Sequence, residues 1–252
     1  MKKRPRIEHT IWISGYNPVR EALSSEDTII RELILARSGQ RAAVIEAMAR
    51  GRSIPVRRES TEILSGLVGH DHHQGLAIRS DDFRFTPLEV FLQRPIEEVH
   101  PVLLLDSVQD PQNLGALIRS ACFLGAKGLI VPKDRSARIT GSVIKVASGA
   151  TAYVPIVQVT NLVQTLQQLK ERGLWIFGLD LKGSQALYDV DLTLPLGLVV
   201  GNEQKGLRPL VQRHCDFLVR IPAAGPVQSL NAATAGAIAL AEIQRQRGAV
   251  SK

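Results

Sequence analysis

The chain has 252 residues, 44% hydrophobic and 22% charged, with 31 Lys+Arg against 24 Asp+Glu and a formal net charge of +7. That balance suits one large or two modest folded domains and argues against extended disorder, and no apolar run approaches the roughly 18 residues of a membrane span. The basic surplus favours a polyanionic partner such as nucleic acid, while two cysteines, Cys122 and Cys215, make neither a disulfide framework nor a Cys-x-x-Cys zinc site.

The N-terminus, Met1-Lys2-Lys3-Arg4-Pro5-Arg6, is basic, but no long apolar core follows it. No secretory signal is therefore expected, and the default compartment is the cytoplasm. Residues 10–80 read as a small α/β unit. Asn17 is a plausible N-cap with Pro18 at N1, opening a helix that continues over 19–24. A strand is expected at 30–36, and a helix at 40–50 with Gly51 in the C′ position. A short strand at 54–57, a helix over 61–68 with Thr61 near its start, and a last strand at 75–79 complete the unit. The polar stretch from Ser80 to Phe85 and a capping box, Thr86-Pro87-Leu88-Glu89, follow. The reading divides the chain into an N-terminal domain at 1–80, a linker at 81–99 and a larger domain at 100–252.

From Pro101 onward the pattern changes. Continuous apolar strands are expected at 102–105, 129–131, 154–157, 174–179, 196–200 and 217–221, with helices at 114–124, 162–172, 207–213 and 230–247. Unbroken apolar strands indicate a parallel sheet covered on both faces. Strand–helix alternation gives an α/β fold whose ligand sites lie at the carboxyl ends of the strands.

Several familiar motifs are absent. The first strand of this domain leads into Asp106-Ser107-Val108-Gln109-Asp110-Pro111-Gln112-Asn113-Leu114-Gly115, without the Gly-x-Gly-x-x-Gly of a dinucleotide enzyme or a Rossmann-type methyltransferase. Gly201 and Gly206 have P-loop spacing, but Leu207-Arg208 stands where Lys-Ser/Thr is needed. His70-Asp71-His72-His73 lacks metal-ligand spacing and reads as a solvated polar turn. There is no Gly-x-Ser-x-Gly elbow for a serine hydrolase.

Three segments, each just after an expected strand, carry the candidate chemistry: DSVQDPQNLGALIRSA (106–121), VVGNEQKGL (199–207) and IPAAGPVQSLNAATA (221–235). They bring Asn113, Arg119, Glu203, Ser229 and Asn231 to loop–helix junctions on one edge of the sheet. Each also has a plain structural reading. Asn113 could cap a helix, and Arg119 could be a solvated or ion-paired surface residue. Glu203 could favour a helix dipole, and Ser229 could be a cap with Asn231 in the turn behind it.

Together these segments closely resemble the three motifs of the SpoU–TrmH family, RNA ribose 2′-O-methyltransferases of the SPOUT class, in order and over about 100–250. Ser14-Gly15-Tyr16-Asn17-Pro18-Val19-Arg20-Glu21-Ala22-Leu23 and His73-Gln74-Gly75 are similar to the RNA-binding domain of the subgroup that methylates a guanosine of 23S rRNA. The resemblance implies a SPOUT-type catalytic domain with a C-terminal trefoil knot, behind a small domain like certain ribosomal proteins. It also implies S-adenosyl-L-methionine as methyl donor, no metal, an RNA partner, and a homodimer with its site at the subunit interface. The Ala-rich last helix, 232–243, would serve as dimer surface or as core.

By position the cofactor would be held by backbone groups around Gly201, Ile221 and Leu230, with Ser229 beside them. Arg119 would clamp an RNA phosphate and stabilise charge on the attacking oxygen, since arginine stays protonated. Asn113 would fix its loop and help position Arg119 or the ribose. Ser229 and Asn231 would position nucleotide and cofactor loop, and Glu203 would orient the second loop or contact the guanine edge. In the N-terminal domain Arg41, Arg50, Arg52, Arg57 and Arg58 are candidate phosphate contacts or a solvated charged face. The same motifs would serve a tRNA 2′-O-methyltransferase, a resistance enzyme acting on rRNA, or a ribosome-assembly factor that binds RNA without turnover.

Overall fold

The computed structural model describes residues 10–25, 28–93 and 100–250. The basic 1–6 stretch and the 94–99 part of the expected linker lie outside the described residues. The chain forms two compact units, Met1–Arg84 with Ile139–Ala152, and Phe85–Arg138 with Tyr153–Lys252.

The first unit holds β1 (Thr10–Ser14), α1 (Tyr16–Ser24), β2 (Ile30–Leu35), α2 (Gln40–Gly51), β3 (Val56–Arg58), α3 (Thr61–Val68) and β4 (Leu76–Asp81). The sheet order is β1-β4-β2-β3, with β4 antiparallel to both β1 and β2, and β3 parallel to β2. Ile34 and Ala77 are register partners and pack with Leu64 of α3, while Trp12 covers their edge. The two-residue period of a strand turns Leu33 and Leu35 to the opposite face.

The start of α1 differs from the sequence reading. Helix α1 opens one residue before Asn17, and its first donor, the Tyr16 N–H, is taken at 2.8 Å by Gln74 Oε1 from the α3–β4 loop. Helix α3 runs Thr61–Val68 as the sequence reading has it, capped by Ser60, whose side chain accepts from the Ile63 N–H.

The second unit contains α4 (Leu88–Leu92), β5 (Val102–Leu105), α5 (Pro111–Phe123) and β6 (Gly128–Pro132). Pro87 stands at the N-cap of α4 with no side-chain bond, so the expected Thr86 capping box does not form. Helix α6 (Gly141–Val146) and a 3-10 turn at Ala150–Ala152 come next in sequence but belong to the first unit. A Cβ on Gly141 would lie 1.9 Å from the Trp12 carbonyl oxygen, so only a glycine lets this backbone rest on β1. The sequence reading kept this segment within the second domain.

The second unit resumes with β7 (Ile156–Val159), α7 (Leu162–Glu171), β8 (Trp175–Leu179), β9 (Gln185–Ala186), β10 (Leu196–Val200), α8 (Pro209–His214), β11 (Phe217–Arg220) and α9 (Ala232–Val250). Its seven strands run parallel in the order β7-β6-β5-β10-β8-β11-β9. Every residue of β5 and of β10 is buried, which is why these strands read as unbroken apolar runs.

Val102 and Leu104 join Leu162, Leu166 and Leu169 of α7 and Val211 of α8 in one apolar layer. Strand alternation sends Leu103 and Leu105 to the other face. There α9 lies close enough to α5 and β10 that a Cβ on Gly236 would meet Leu117 Cδ2 at 2.5 Å and Val200 Cγ2 at 3.4 Å. Ala232, Ala233, Ala239, Leu240 and Ile243 are buried within the chain itself. Part of the Ala-rich stretch of α9 thus packs into the core, while Ala235, Ala237 and Ile238 are only partly buried. Among the described residues no helix is long and apolar enough to cross a membrane.

The chain lays β5, β6 and β7 outward on one side and then places β8 to β11 on the other. The sheet therefore has a switch point beside β5, and ligand sites form at the carboxyl ends of strands there.

Candidate active site

Each of the three loops at this switch point is built by its own residues. After β5, Asp106 is fully buried and accepts from the Arg208 backbone N–H at 2.8 Å and from Arg208 Nε at 2.5 Å. Asp110 caps α5 by accepting from the Gln112 N–H, with Pro111 in the first turn. Asn113 is therefore not the cap that sequence allowed. It is the third residue of the helix, within the first turn, and is only 5% exposed.

After β10, Asn202 and Gly206 close a tight turn through two backbone hydrogen bonds, at 3.0 and 2.9 Å, and Asn202 Oδ1 accepts from the Gln204 and Lys205 N–H groups. A Cβ on Gly201 would stand 2.4 Å from the Gly206 carbonyl carbon, so no other residue fits there. Glu203 lies within this turn, before α8 begins at Pro209, and so is not at a helix N-terminus. After β11, residues 221–231 run without regular structure to α9, and 222–230 are all exposed. Asn231 caps α9 by accepting from the Ala233 and Thr234 N–H groups. Ser229, a candidate for that role, stands two residues before the cap.

Three of the expected residues meet in one chain of hydrogen bonds. Asn113 Nδ2 donates to Glu203 Oε1 at 2.6 Å, and Asn231 Nδ2 donates to Asn113 Oδ1 at 2.7 Å. Asn202 Nδ2 adds bonds to Glu203 Oε2 at 3.2 Å and to the Ser107 carbonyl at 2.9 Å. Both carboxylate oxygens of Glu203 are thus occupied, and the three loops are fastened to one another. Arg119 starts from another face of the same helix. At about 100° per residue it lies some 120° round α5 from Asn113, and it is exposed.

Beside this network lies a cavity of about 780 Å³. Gly201, Glu203, Ile221, Ser229 and Leu230 all line it, so every residue expected to hold the cofactor faces one space. Sequence reasoning missed Leu179, Asp180 and Leu181 at the end of β8, which also line it. The rule that sites lie at strand carboxyl ends could have flagged them, because the strand ending at Leu179 was recognised. Asp180 accepts from the Lys182 N–H at 2.8 Å and from Gln212 Nε2 at 2.7 Å, which ties its loop to α8.

The size is that of a small-molecule site. Apolar Leu179, Ile221, Val227 and Leu230 can cover a flat ring, while the backbone between 221 and 231 is held in no helix or strand and offers its N–H and C=O groups. These residues fit an adenosine-bearing donor such as S-adenosyl-L-methionine.

In the first unit the five expected arginines are exposed but mostly engaged. Arg50 and Arg58 both pair with Glu46 at 2.7 Å, and Arg57 pairs with Glu59 at 2.6 Å and Glu32 at 3.2 Å. Arg52 donates to the carbonyls of Ala22, Leu23, Ser25 and Thr28, so its guanidinium closes the end of α1 and is not presented to a phosphate. Arg41 lies 5.2 Å over the ring of Tyr16.

The histidine cluster is not a solvated turn throughout. His73 is 1% exposed, with Nδ1 accepting from the Gly75 N–H and Nε2 bonded to Ser65 Oγ. Burial first, then the charges of Arg37 and Lys145, hold His73 below the usual histidine range. His70 Nε2 meets Ser14 Oγ, and burial and Lys145 lower its pKa too.

Comparison with known proteins agrees with this geometry. Residues 100–241 match the SpoU rRNA Methylase family, and residues 12–86 match the family described as RNA 2′-O ribose methyltransferase substrate binding. The chain is 40% identical over 241 residues to the 23S rRNA (guanosine-2′-O-)-methyltransferase RlmB of Xanthomonas campestris pv. campestris, covering 94% of this chain and 96% of that one. The RlmB of Pseudomonas aeruginosa is 42% identical over 244 residues, covering 93% and 96%. The crystal structure of the SpoU methyltransferase AviRb from Streptomyces viridochromogenes, in complex with AdoMet, superposes with a TM-score of 0.82 at 26% identity, covering 95% of this chain and 91% of that one. With both halves matched in order and the similarity running almost end to end, the chain belongs to the SpoU rRNA methylase family.

Proposed function

We propose that this protein methylates the 2′-hydroxyl of a guanosine in 23S rRNA, with S-adenosyl-L-methionine as donor. The observation that carries the reading is the Glu203–Asn113–Asn231 chain of hydrogen bonds, which fastens the three family motifs to one another beside a cavity of small-molecule size lined by the second and third. The names of the full-length relatives support the reaction and its substrate, and the AdoMet-bound relative supports the donor.

The bound donor supplies a methyl group on a sulfonium, ready for in-line transfer. The chain's residues then have to align and stabilise. Ile221 and Leu230, with Gly201 and the backbone of the last loop, hold the donor, and Ser229 sits at the mouth of its cavity. Asn113, Glu203 and Asn231 act as positioning residues, because they touch one another and fix the loops. Fixed alignment can contribute about 7–11 kcal/mol in favourable reactions. Arg119 clamps an RNA phosphate through its planar guanidinium and stabilises negative charge building on the ribose oxygen. The N-terminal unit adds affinity for RNA.

The family's trefoil knot and homodimer belong to the same reading. Strand β10 lies between β5 and β8, and β11 between β8 and β9, so the late strands enter the sheet's interior as a threaded chain must. Leu181, Val227 and Leu230 are exposed apolar side chains around the cavity, suited to being covered by a second subunit. The protein then works in the cytoplasm, where ribosomal RNA is.

Methyl transfer from labelled donor to 23S rRNA and to bulk tRNA, followed by mapping of the modified ribose, tests the reading. Label on a 23S guanosine ribose is expected. Label on tRNA alone overturns the substrate, and no transfer to either overturns the reaction.

A further inference from the structure

We infer that the first unit grips RNA through a stacking platform at the start of α1, made by Tyr16 with Arg37 and Arg41, and not through the arginines of α2's end and β3. This rests on the reading of the protein as an RNA methyltransferase.

The platform is contiguous. Arg41 stands 5.2 Å and Arg20 5.9 Å over the Tyr16 ring. The Tyr16 N–H is held by Gln74 Oε1. The next residue, Gly75, has φ +77, and a Cβ there would collide with the Arg37 stem at 2.7 Å, so Arg37 lies directly across the same loop. Gln74 itself has φ +56. The SGYNP and HQG segments are thus two sides of one surface feature, locked by Gly15 N–H to Leu76 carbonyl and by Ser14 to His70.

Charge separates this place from the rest of the unit. Arg31, Arg50, Arg57, Arg58 and Arg79 each pair with a carboxylate, and Arg52 is held by four carbonyls. To reach a phosphate each paired arginine would first leave its carboxylate. Arg37 and Arg41 are exposed and no ion pair to either is found among the described residues, so they offer two cations at no such cost.

An aromatic ring flanked by guanidinium groups is the chemistry that takes an unpaired nucleotide. The base stacks on the ring or on a guanidinium plane while the cations meet the flanking phosphates. A helical duplex, with its bases stacked inside, would meet only the charges. The ligand is therefore an unpaired RNA segment, in a loop or bulge.

The experiment uses the full chain and a 23S rRNA transcript. Arg37→Ala/Arg41→Ala should bind roughly 10- to 100-fold more weakly at physiological salt and lower the slope of log affinity against log salt by about 1.4, the single-strand value for two charges. Tyr16→Ala should weaken binding by roughly 5- to 100-fold, whereas Tyr16→Phe stays near wild type. The KM for RNA rises while kcat, donor uptake by calorimetry and thermal midpoint hold. Arg50→Ala/Arg58→Ala should lose less affinity than Arg37→Ala/Arg41→Ala. If Arg37→Ala/Arg41→Ala keeps wild-type affinity and salt slope, or if Arg50→Ala/Arg58→Ala loses as much, the platform is elsewhere although the methyltransferase reading stands. A wild-type protein that neither binds the transcript nor methylates it overturns both.

Discussion

Asn113 donates from Nδ2 to Glu203 Oε1 at 2.6 Å, joining the first turn of α5 to the turn after β10 across 90 positions of sequence. The same side chain accepts from Asn231 at the cap of α9. Removing it frees two loops at once and leaves a polar group without a partner, at a cost of about 1–3 kcal/mol. Asn113→Ala should therefore lower the thermal midpoint modestly and lower kcat/KM by roughly 10- to 100-fold.

Asn113→Asp is the sharper variant, because it keeps the shape and places two carboxylates within hydrogen-bond distance. Like charges that close raise one of the two pKa values. A folded-state pKa above the unfolded one means that stability is present at low pH and lost as pH rises through the raised value. The variant should melt below wild type at neutral pH and recover as pH falls towards the ordinary carboxylate range near pH 4. A profile parallel to wild type would show that Asn113 and Glu203 do not act together.

Gly201 offers a separate test of the cavity. Its missing side chain lets the turn return to within 2.4 Å of where a Cβ would be. Gly201→Ala must push the Asn202–Gly206 turn away, and with it one wall of the cavity. Donor binding by calorimetry should weaken at least about tenfold, since displaced walls lose their close contacts, while RNA binding is kept. Equal donor affinity in a folded Gly201→Ala protein would move the donor site away from this loop.

Arg119 stands on the exposed side of α5, about 120° round the helix from Asn113. Its replacement should leave the fold intact and act on the chemical step. Loss of one charge-stabilising donor costs about 10²–10³ in kcat in comparable sites. Arg119→Ala should show that loss with donor affinity unchanged, and Arg119→Lys should recover little, because a lysine cannot present the planar fork. Wild-type turnover in Arg119→Ala would end the assignment.

How far the sequence was legible depends on whether the determinant is local. Leu103 and Val199 sit in strands buried on both faces, so unbroken apolar runs gave away the sheet, and with it the edge where the site lies. Helix starts were off where two good caps compete within three residues, as with Asp110 against Asn113 and Asn231 against Ser229. Helix α6 is six residues long and β9 only two, too short for any period to register. The partners of Asn113 lie 90 and 118 positions away, so no local pattern contains the network. Arg52 looked like any surface arginine because its role is set by carbonyls at the end of α1, 24 to 30 residues earlier. The roles of Gly201, Ile221 and Leu230 came from family resemblance, since spacing alone marks only that they follow strands.

The last prediction concerns the first unit's response to acid. His73 is buried as the neutral ring, because Nδ1 accepts the Gly75 N–H and would clash with it once protonated. Burial, then the charges of Arg37 and Lys145, depress its folded pKa. For such a histidine the unfolded chain binds the proton more readily, so stability is complete above the unfolded value near 6.5 and is lost as pH falls below it. The chain has two tryptophans, and Trp12 lies in β1 while Trp175 lies in β8 of the other unit. In a Trp175→Phe background the fluorescence of Trp12 therefore reports the first unit alone. Its melting midpoint should fall between about pH 7 and pH 5, and His73→Gln, which cannot take up the proton, should flatten that fall even if its midpoint at pH 7 is lower. An unchanged slope in His73→Gln would assign the acid sensitivity to His70, whose pKa burial and Lys145 also lower, and not to His73.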